Sequence, residues 1–256
     1  METLQLESML SMLLLVGLRV SSVIVFAPFL SSQAIPPQGK AALTVLVTAL
    51  LYPVCPQPAV AGGAFGWLEV VGGEIGIGLL LGLVVQLVVE GAQVAGQLLG
   101  MQAGYSLVTL LDPQSQADLP VLATFNQILA LVIFLQLNVH HWLLRGLAAS
   151  FAYAPPGSLV ASARTGAALL HAAGGMWLAG VQMAGPVVVA TFLVDVTLGF
   201  VSRAAPQLPV LFVGVSFKTS ISLAVLAGSL VWWPARFERE FAAAISLGER
   251  LLHLAH

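Results

Sequence analysis

The sequence predicts an all-α integral membrane protein organised as helical hairpins, and three observations carry that prediction. Hydrophobic residues make up 59% of the 256 and charged residues only 8%, at a mean hydropathy of +0.98; a soluble domain carries about 25% charged residues. Apolar runs recur from Leu10 to Trp233, several of them long enough for a bilayer crossing, which takes about 20 residues. Proline- and glycine-rich connectors separate the runs, and such breakers turn one helix back against the next.

Leu10 to Leu30 is the first apolar run and holds Arg19 in its middle. An arginine this deep in a span is expensive and faces protein or water, so Arg19 reads as a buried charge. Glu2 and Glu7 precede it with no Lys or Arg; a cleaved signal peptide wants a positive start, and the first helix is expected to be retained as the insertion signal. A polar connector from Ser31 to Lys40 follows. Ala41 to Leu51 then stops at Pro53, too short to span, which predicts a half-span or a bent hairpin arm. Gly62 to Glu90 is apolar and glycine-rich. Its pairs Gly72/Gly76 and Gly78/Gly82 place small residues one turn apart, a pattern that lets membrane helices approach closely. Glu69 and Glu74 stand about 140° apart on a helix and form no acid/base or metal pair, so partner-subunit contact is the expected use of Glu74.

Two patterns meet between Gly91 and Pro120. Ala92, Gly96, Gly100 and Gly104 recur every four residues and form a ridge of small residues for helix packing. Beside it Gln86, Glu90, Gln93 and Gln97 form a polar ridge that faces a subunit or a wet cavity, because lipid does not solvate it. From Tyr105 the pattern is lost, through Ser106, Leu107, Val108, Thr109, Leu110 and Leu111, and Asp112-Pro113 breaks the helix. Irregular backbone at membrane depth is tolerated only where protein buries it or water lines it. The stretch therefore reads as a loop inside an assembly, with an ordinary surface loop as the competing reading.

Asp118 to Arg145 encloses a long uncharged segment interrupted by Asn126, Gln127, Gln136 and Asn138. His140 and His141 follow, pointing about 100° apart on a helix and so unsuited to one shared metal. Pro155-Pro156-Gly157 breaks the chain and is the natural internal boundary. Beyond it, Arg164 to Asp195 and Val210 to Trp233 are apolar runs joined by a turn, Gly199 to Pro209, that contains Arg203. With Pro206 at the apex, Asp195 lies 11 residues before it and Lys218 lies 12 after. At about 1.5 Å per residue the two reach the same depth on antiparallel helices, so they pair or each meets a charge on a neighbouring subunit. Arg203 is grouped with them as a buried charge. The tail after Pro234 is amphipathic and mixed in sign, which suits a surface helix, and Arg236, Arg239 and Arg250 lean toward a cytoplasmic C-terminus.

Several chemistries find no support. Nine scattered Lys and Arg form no basic patch for nucleic acid. Cys55 is the single cysteine and has no internal disulfide partner. Phosphate-loop, dinucleotide, zinc-spaced and nucleophile-elbow patterns are absent. No catalytic residue, cofactor or metal is expected.

A set of short motifs, in order, points further. Ala34-Ile35-Pro36 is followed by Lys40, and Gly73-Glu74-Ile75-Gly76-Ile77-Gly78 by Leu81-Gly82. Ala95-Gly96-Gln97-Leu98-Leu99-Gly100-Met101-Gln102 precedes Asp112-Pro113-Gln114-Ser115 and Leu119-Pro120-Val121-Leu122. Asn138 with His140, and Ser202-Arg203-Ala204-Ala205-Pro206-Gln207, complete the set. Together they resemble the FliR/SctT family of type III secretion export-apparatus proteins, with departures at Gly39, Val139 and Pro209. The resemblance implies a FliP-like part over residues 1–157 fused to a FliQ-like hairpin part and amphipathic tail over 158–256. It implies a subunit of the export gate in the bacterial inner membrane, at the flagellar basal body, assembled with FliP-like, FliQ-like and FlhB-like proteins and passing unfolded flagellar subunits. Residues 105–120, Ser106 to Pro113 above all, would be its plug loop. The virulence counterpart of the same gate and a small-molecule secondary transporter are the alternatives, and a scaffold without a pore role is a third.

Overall fold

A computed structural model describes residues 2–32, 35–55, 64–104, 121–156, 163–207 and 210–254. They form eight α-helices: α1 (Glu2–Phe26), α2 (Pro37–Leu51), α3 (Ala64–Gln102), α4 (Val121–Gln136), α5 (Val139–Tyr153), α6 (Ala163–Ala204), α7 (Val210–Ser229) and α8 (Trp233–Leu254). No strand occurs among the described residues. Among the described residues, four stretches are long and apolar enough to cross a membrane: Glu7–Phe26, Gly66–Gln102, Leu170–Ala204 and Val213–Arg250. The protein is an all-α integral membrane protein.

Local chemistry sets the helix ends. Pro37 opens α2 at its first position, with Pro36 extended before it, where a missing N–H costs nothing. Sixteen residues later Pro53 draws the chain into a 3₁₀ turn, so α2 is short of a full span. Past the end of α3, Gly104 adopts a positive φ of 88°, which glycine reaches without Cβ strain. Asn138 takes the left-handed conformation at φ 56°, tolerated by Asn. There the expected long run from Asp118 to Arg145 divides into α4 and α5, bent by 66°. Pro186 lies inside α6 and deprives the Gln182 carbonyl of its helical donor.

The chain packs as two compact units: Met1–Leu87 with Phe134–Ala173 and Glu240–His256, and Val88–Ile133 with Gly174–Arg239. In the first, α1 lies against the first part of α3 across two glycines. A Cβ at Gly78 would stand 2.5 Å from the Arg19 carbonyl oxygen, and one at Gly82 would stand 2.9 Å from the Phe26 Cβ. Phe134 and Phe241 meet edge to face at 5.6 Å, and Leu15, Val20, Ile77, Val85 and Leu147 are buried in the same unit.

In the second unit the later part of α3 is the spine. A Cβ at Gly96 would come within 2.5 Å of the Leu122 carbonyl oxygen on α4, and one at Gly180 on α6 would be 2.9 Å from the Gly91 carbonyl oxygen. Helix α7 is tied in by Thr219 Oγ1, which donates to the Ala103 carbonyl at 2.7 Å. Thr191, buried in α6, shares its hydroxyl between the Val187 and Val188 carbonyls, both at 3.0 Å.

Candidate functional site

Arg19 sits at the centre of the first unit with no solvent exposure. It reaches that depth because α1 has glycines opposite it on α3, and because α5 brings three further groups. Arg19 Nε donates to Glu74 Oε2 at 2.6 Å and Nη2 to Glu74 Oε1 at 3.0 Å, the two-pronged geometry that a planar guanidinium favours. Nη1 donates to Ser150 Oγ at 3.0 Å and Nη2 to the Ala154 carbonyl at 2.9 Å. The Ser150 hydroxyl hydrogen goes to the Leu147 carbonyl at 2.7 Å, so its oxygen is free to accept from Arg19. The Phe151 ring covers the guanidinium, Cζ lying 4.2 Å from the ring centroid, a cation–π contact. A buried charge needs its pairing and hydrogen bonds complete, and this one ties α1, α3 and the end of α5 together.

This arrangement corrects one expectation. Glu74 is buried within its own chain and its carboxylate is occupied by Arg19, so it offers no charge to a partner subunit. Ser150, Phe151 and the Ala154 carbonyl were not singled out in the sequence. Charge balance could have found Glu74, since two opposite charges in long apolar runs seek each other.

Cys55 stands near this cluster, half-buried after the 3₁₀ turn. Burial pushes its thiol above the ordinary value; the Arg19 guanidinium acts the other way and the Glu74 carboxylate adds to the rise.

In the second unit Lys218 Nζ donates to Asp195 Oδ2 at 2.9 Å, the pairing that the equal depth on the hairpin predicts. The pair is not buried within the chain: the Asp195 side chain is 49% exposed and that of Lys218 18%. Arg203 is also exposed, in the last turn of α6, where a cation complements the negative end of the helix. Within the single chain Asp195 and Arg203 are therefore exposed, and their burial is a matter for neighbouring subunits. Helices α6 and α7 expose Leu178, Val189, Phe192, Phe200, Val213 and Phe217, so the pair lies within an apolar surface. Arg236 hydrogen-bonds Gln182 Oε1, one turn before Pro186.

The two ridges of α3 divide. Ala92 and Gly96 are buried in close packing. Gly100 would meet nothing within 4 Å, and Gly104 lies past the helix end, so it terminates the helix and is no member of the ridge. On the polar ridge Gln86, Glu90 and Gln93 are half-buried and Gln97 is exposed. Asn126 on α4 is fully buried, and neither its amide nitrogen nor its oxygen has a hydrogen-bond partner among the described residues. The plug-loop residues Ser106 to Pro113, and all of 105–120, lie outside the described residues. His140 and His141 stand side by side, ring centroids 4.3 Å apart, and no group of three metal-ligating side chains occurs among the described residues.

Long apolar helices and a fully paired charge locked among them are the features a comparison with known proteins has to match. A family model described as bacterial export proteins, family 1, matches residues 10–244. The chain belongs to that family. Its similarity to curated members covers most of the chain. The flagellar biosynthetic protein FliR of Escherichia coli K12 is 31% identical over 210 residues, 82% of this chain and 80% of that one. FliR of Bacillus subtilis is 29% identical over 216 residues, 83% of each chain. FliR of Aquifex aeolicus is 26% identical over 231 residues, 90% of this chain and 89% of that one. As bacterial export proteins, family 1 members of this kind serve flagellum biogenesis and protein transport in the membrane, and they are not enzymes.

Proposed function

We propose that this chain is a subunit of the flagellar type III export gate in the bacterial inner membrane, at the flagellar basal body. It builds the pore with FliP-like, FliQ-like and FlhB-like proteins, and unfolded flagellar subunits pass through it. The family match over residues 10–244 supports the reading most, and relatives named as flagellar biosynthetic proteins favour the flagellar system over a virulence one. Residues 1–157 act as the FliP-like part and 158–256 as the FliQ-like hairpin and tail.

The mechanism is steric. Residues 105–120 close the lumen, with Leu107, Val108, Leu110 and Leu111 packing against one another and Asp112-Pro113 setting the turn. The ridge Glu90, Gln93 and Gln97, with the apolar surface of α6 and α7, is covered by neighbouring subunits, because a half-exposed ion pair and amide side chains are poorly placed against lipid.

Deletion of residues 106–118 tests this. The complex is expected to assemble, recovered with its FliP-like and FliQ-like partners, and to leak ions in liposomes. A purified chain that comes out alone as a monomer or homodimer argues against the gate. Assembly without a leak argues against the plug.

A further inference from the structure

The end of α3 is held from one side. Gly100, in its last turn, has open space where a Cβ would stand, and Met101 is 67% exposed. Ala103, just past the helix, is fully buried. Its amide closes the last helical hydrogen bond, to the Leu99 carbonyl at 2.8 Å, and its own carbonyl accepts the Thr219 hydroxyl of α7 at 2.7 Å. Carbonyls at a helix end have no donor in their own helix, and a buried one left unpaired is costly. Gly104 then turns left-handed at a φ of 88°, and a Cβ on it would stand 3.3 Å from Val215 Cγ1. Val215 and Thr219 are one turn apart and share a face of α7. The position of Ala103 and the turn at Gly104 are thus both set against that face.

Thr219 has no need of Ala103 on its own account. Its hydroxyl also lies 2.9 Å from the Val215 carbonyl, the ordinary acceptor four residues back in a helix. Its chain neighbour Lys218 holds Asp195 of α6 at 2.9 Å. Adjacent helical residues point about 100° apart, so α7 fastens α6 with one residue and the end of α3 with the next.

We propose that Thr219 is a positioning residue for closure of the lumen. Through the Ala103 carbonyl it fixes the point at which the chain leaves α3, and it couples that point to the hairpin of α6 and α7. The proposal rests on the reading of residues 105–120 as the closing segment. Thr219 acts on that segment through Ala103, and a shift of the hairpin is carried to the end of α3.

Ion flux into liposomes that hold the assembled export complex tests this, with the complex lacking residues 106–118 as the open reference. Thr219→Val keeps the shape of the side chain and removes its hydroxyl. Flux is expected to rise about tenfold over wild type, the weight of one hydrogen bond lost to a buried carbonyl. Thr219→Ser keeps the donor and should stay at the wild-type level, which a role in packing alone would not give. Ser220→Ala removes a hydroxyl that returns to the Ser216 carbonyl of its own helix at 2.9 Å, and should leave flux unchanged. Wild-type flux from an assembled Thr219→Val complex overturns the proposal, and so does equal leakage from Thr219→Ser and Thr219→Val. If Thr219→Val does not assemble, Thr219→Ala is read in its place; failure of both means that the contact serves folding, and the proposal fails. A complex lacking residues 106–118 that does not leak removes the reading of the closing segment and the proposal with it. A leak there with none from Thr219→Val removes the proposal alone.

Discussion

The Arg19 guanidinium grips both oxygens of the Glu74 carboxylate, at 2.6 and 3.0 Å, and neither side chain reaches solvent. The two residues come from different helices, 55 positions apart. Their pairing makes the start of α3 inseparable from α1, and the hydrogen bonds to Ser150 and Ala154 add α5 to the same knot. Helix α3 itself runs on from Glu74 to Gln102 as one helix.

Removing one member of this pair should be severe. Arg19→Met and Glu74→Leu each leave a charge or a set of donors buried without a counterpart, a loss of about 3–5 kcal/mol. The double variant Arg19→Met/Glu74→Leu should be more stable than either single one. Thermal unfolding of the purified chain in one detergent, compared across the set, measures this; additive losses would show that the two residues are not coupled.

The glycines of α3 should sort by what faces them. Gly96→Ala drives a Cβ into the Leu122 and Ala123 backbone, which cannot rotate away, and a loss of about 1–3 kcal/mol is expected. Gly100→Ala meets nothing and should gain up to about 1 kcal/mol in the isolated chain from helix propensity. Melting temperatures of the two variants should therefore move in opposite directions.

Asp195 and Lys218 should tolerate exchange better than reversal. Asp195→Lys or Lys218→Asp alone places like charges at the 2.9 Å contact, and yield of the assembled complex should fall. The double exchange should restore part of that yield. A double variant no better than the single ones would mean that the partners of these residues lie on other subunits.

Cys55 should alkylate slowly. Burial holds its thiol above the ordinary value, so at pH 8 less of it is thiolate than in a free peptide, and the thiolate is the reactive form. Its rate with iodoacetamide should lie below that of a cysteine peptide at pH 8 and still be climbing at pH 9. A plateau by pH 8 would contradict the shift.

The class of fold was legible in composition, and the hairpin of α6 and α7 in spacing. Counting residues from Pro206 brought Asp195 and Lys218 to one depth, because two antiparallel helices of equal rise leave little freedom. The bend at Asn138 was hidden, since Asn, Gln and His inside an apolar run do not say which residue will adopt a left-handed conformation. Local spacing sets Glu74 apart from its nearest acid, Glu69, and says nothing of its counterpart, which is 55 residues away. Spacing alone makes four equivalent positions of the small-residue ridge, yet packing uses Ala92 and Gly96, leaves Gly100 open and spends Gly104 on the helix end.

The sequence alone determined that this protein lives in a membrane and is helical, because apolar length and helix breakers act locally and need no knowledge of neighbours. Its ordered motifs carried the family in the same way. Only the tertiary structure decided which charge meets which, which glycines are contacts and which are open, and that Arg19 is sealed while Asp195 looks outward. Those outcomes depend on how helices far apart in the chain come together, and the free energy of a buried charge depends on its neighbours in space.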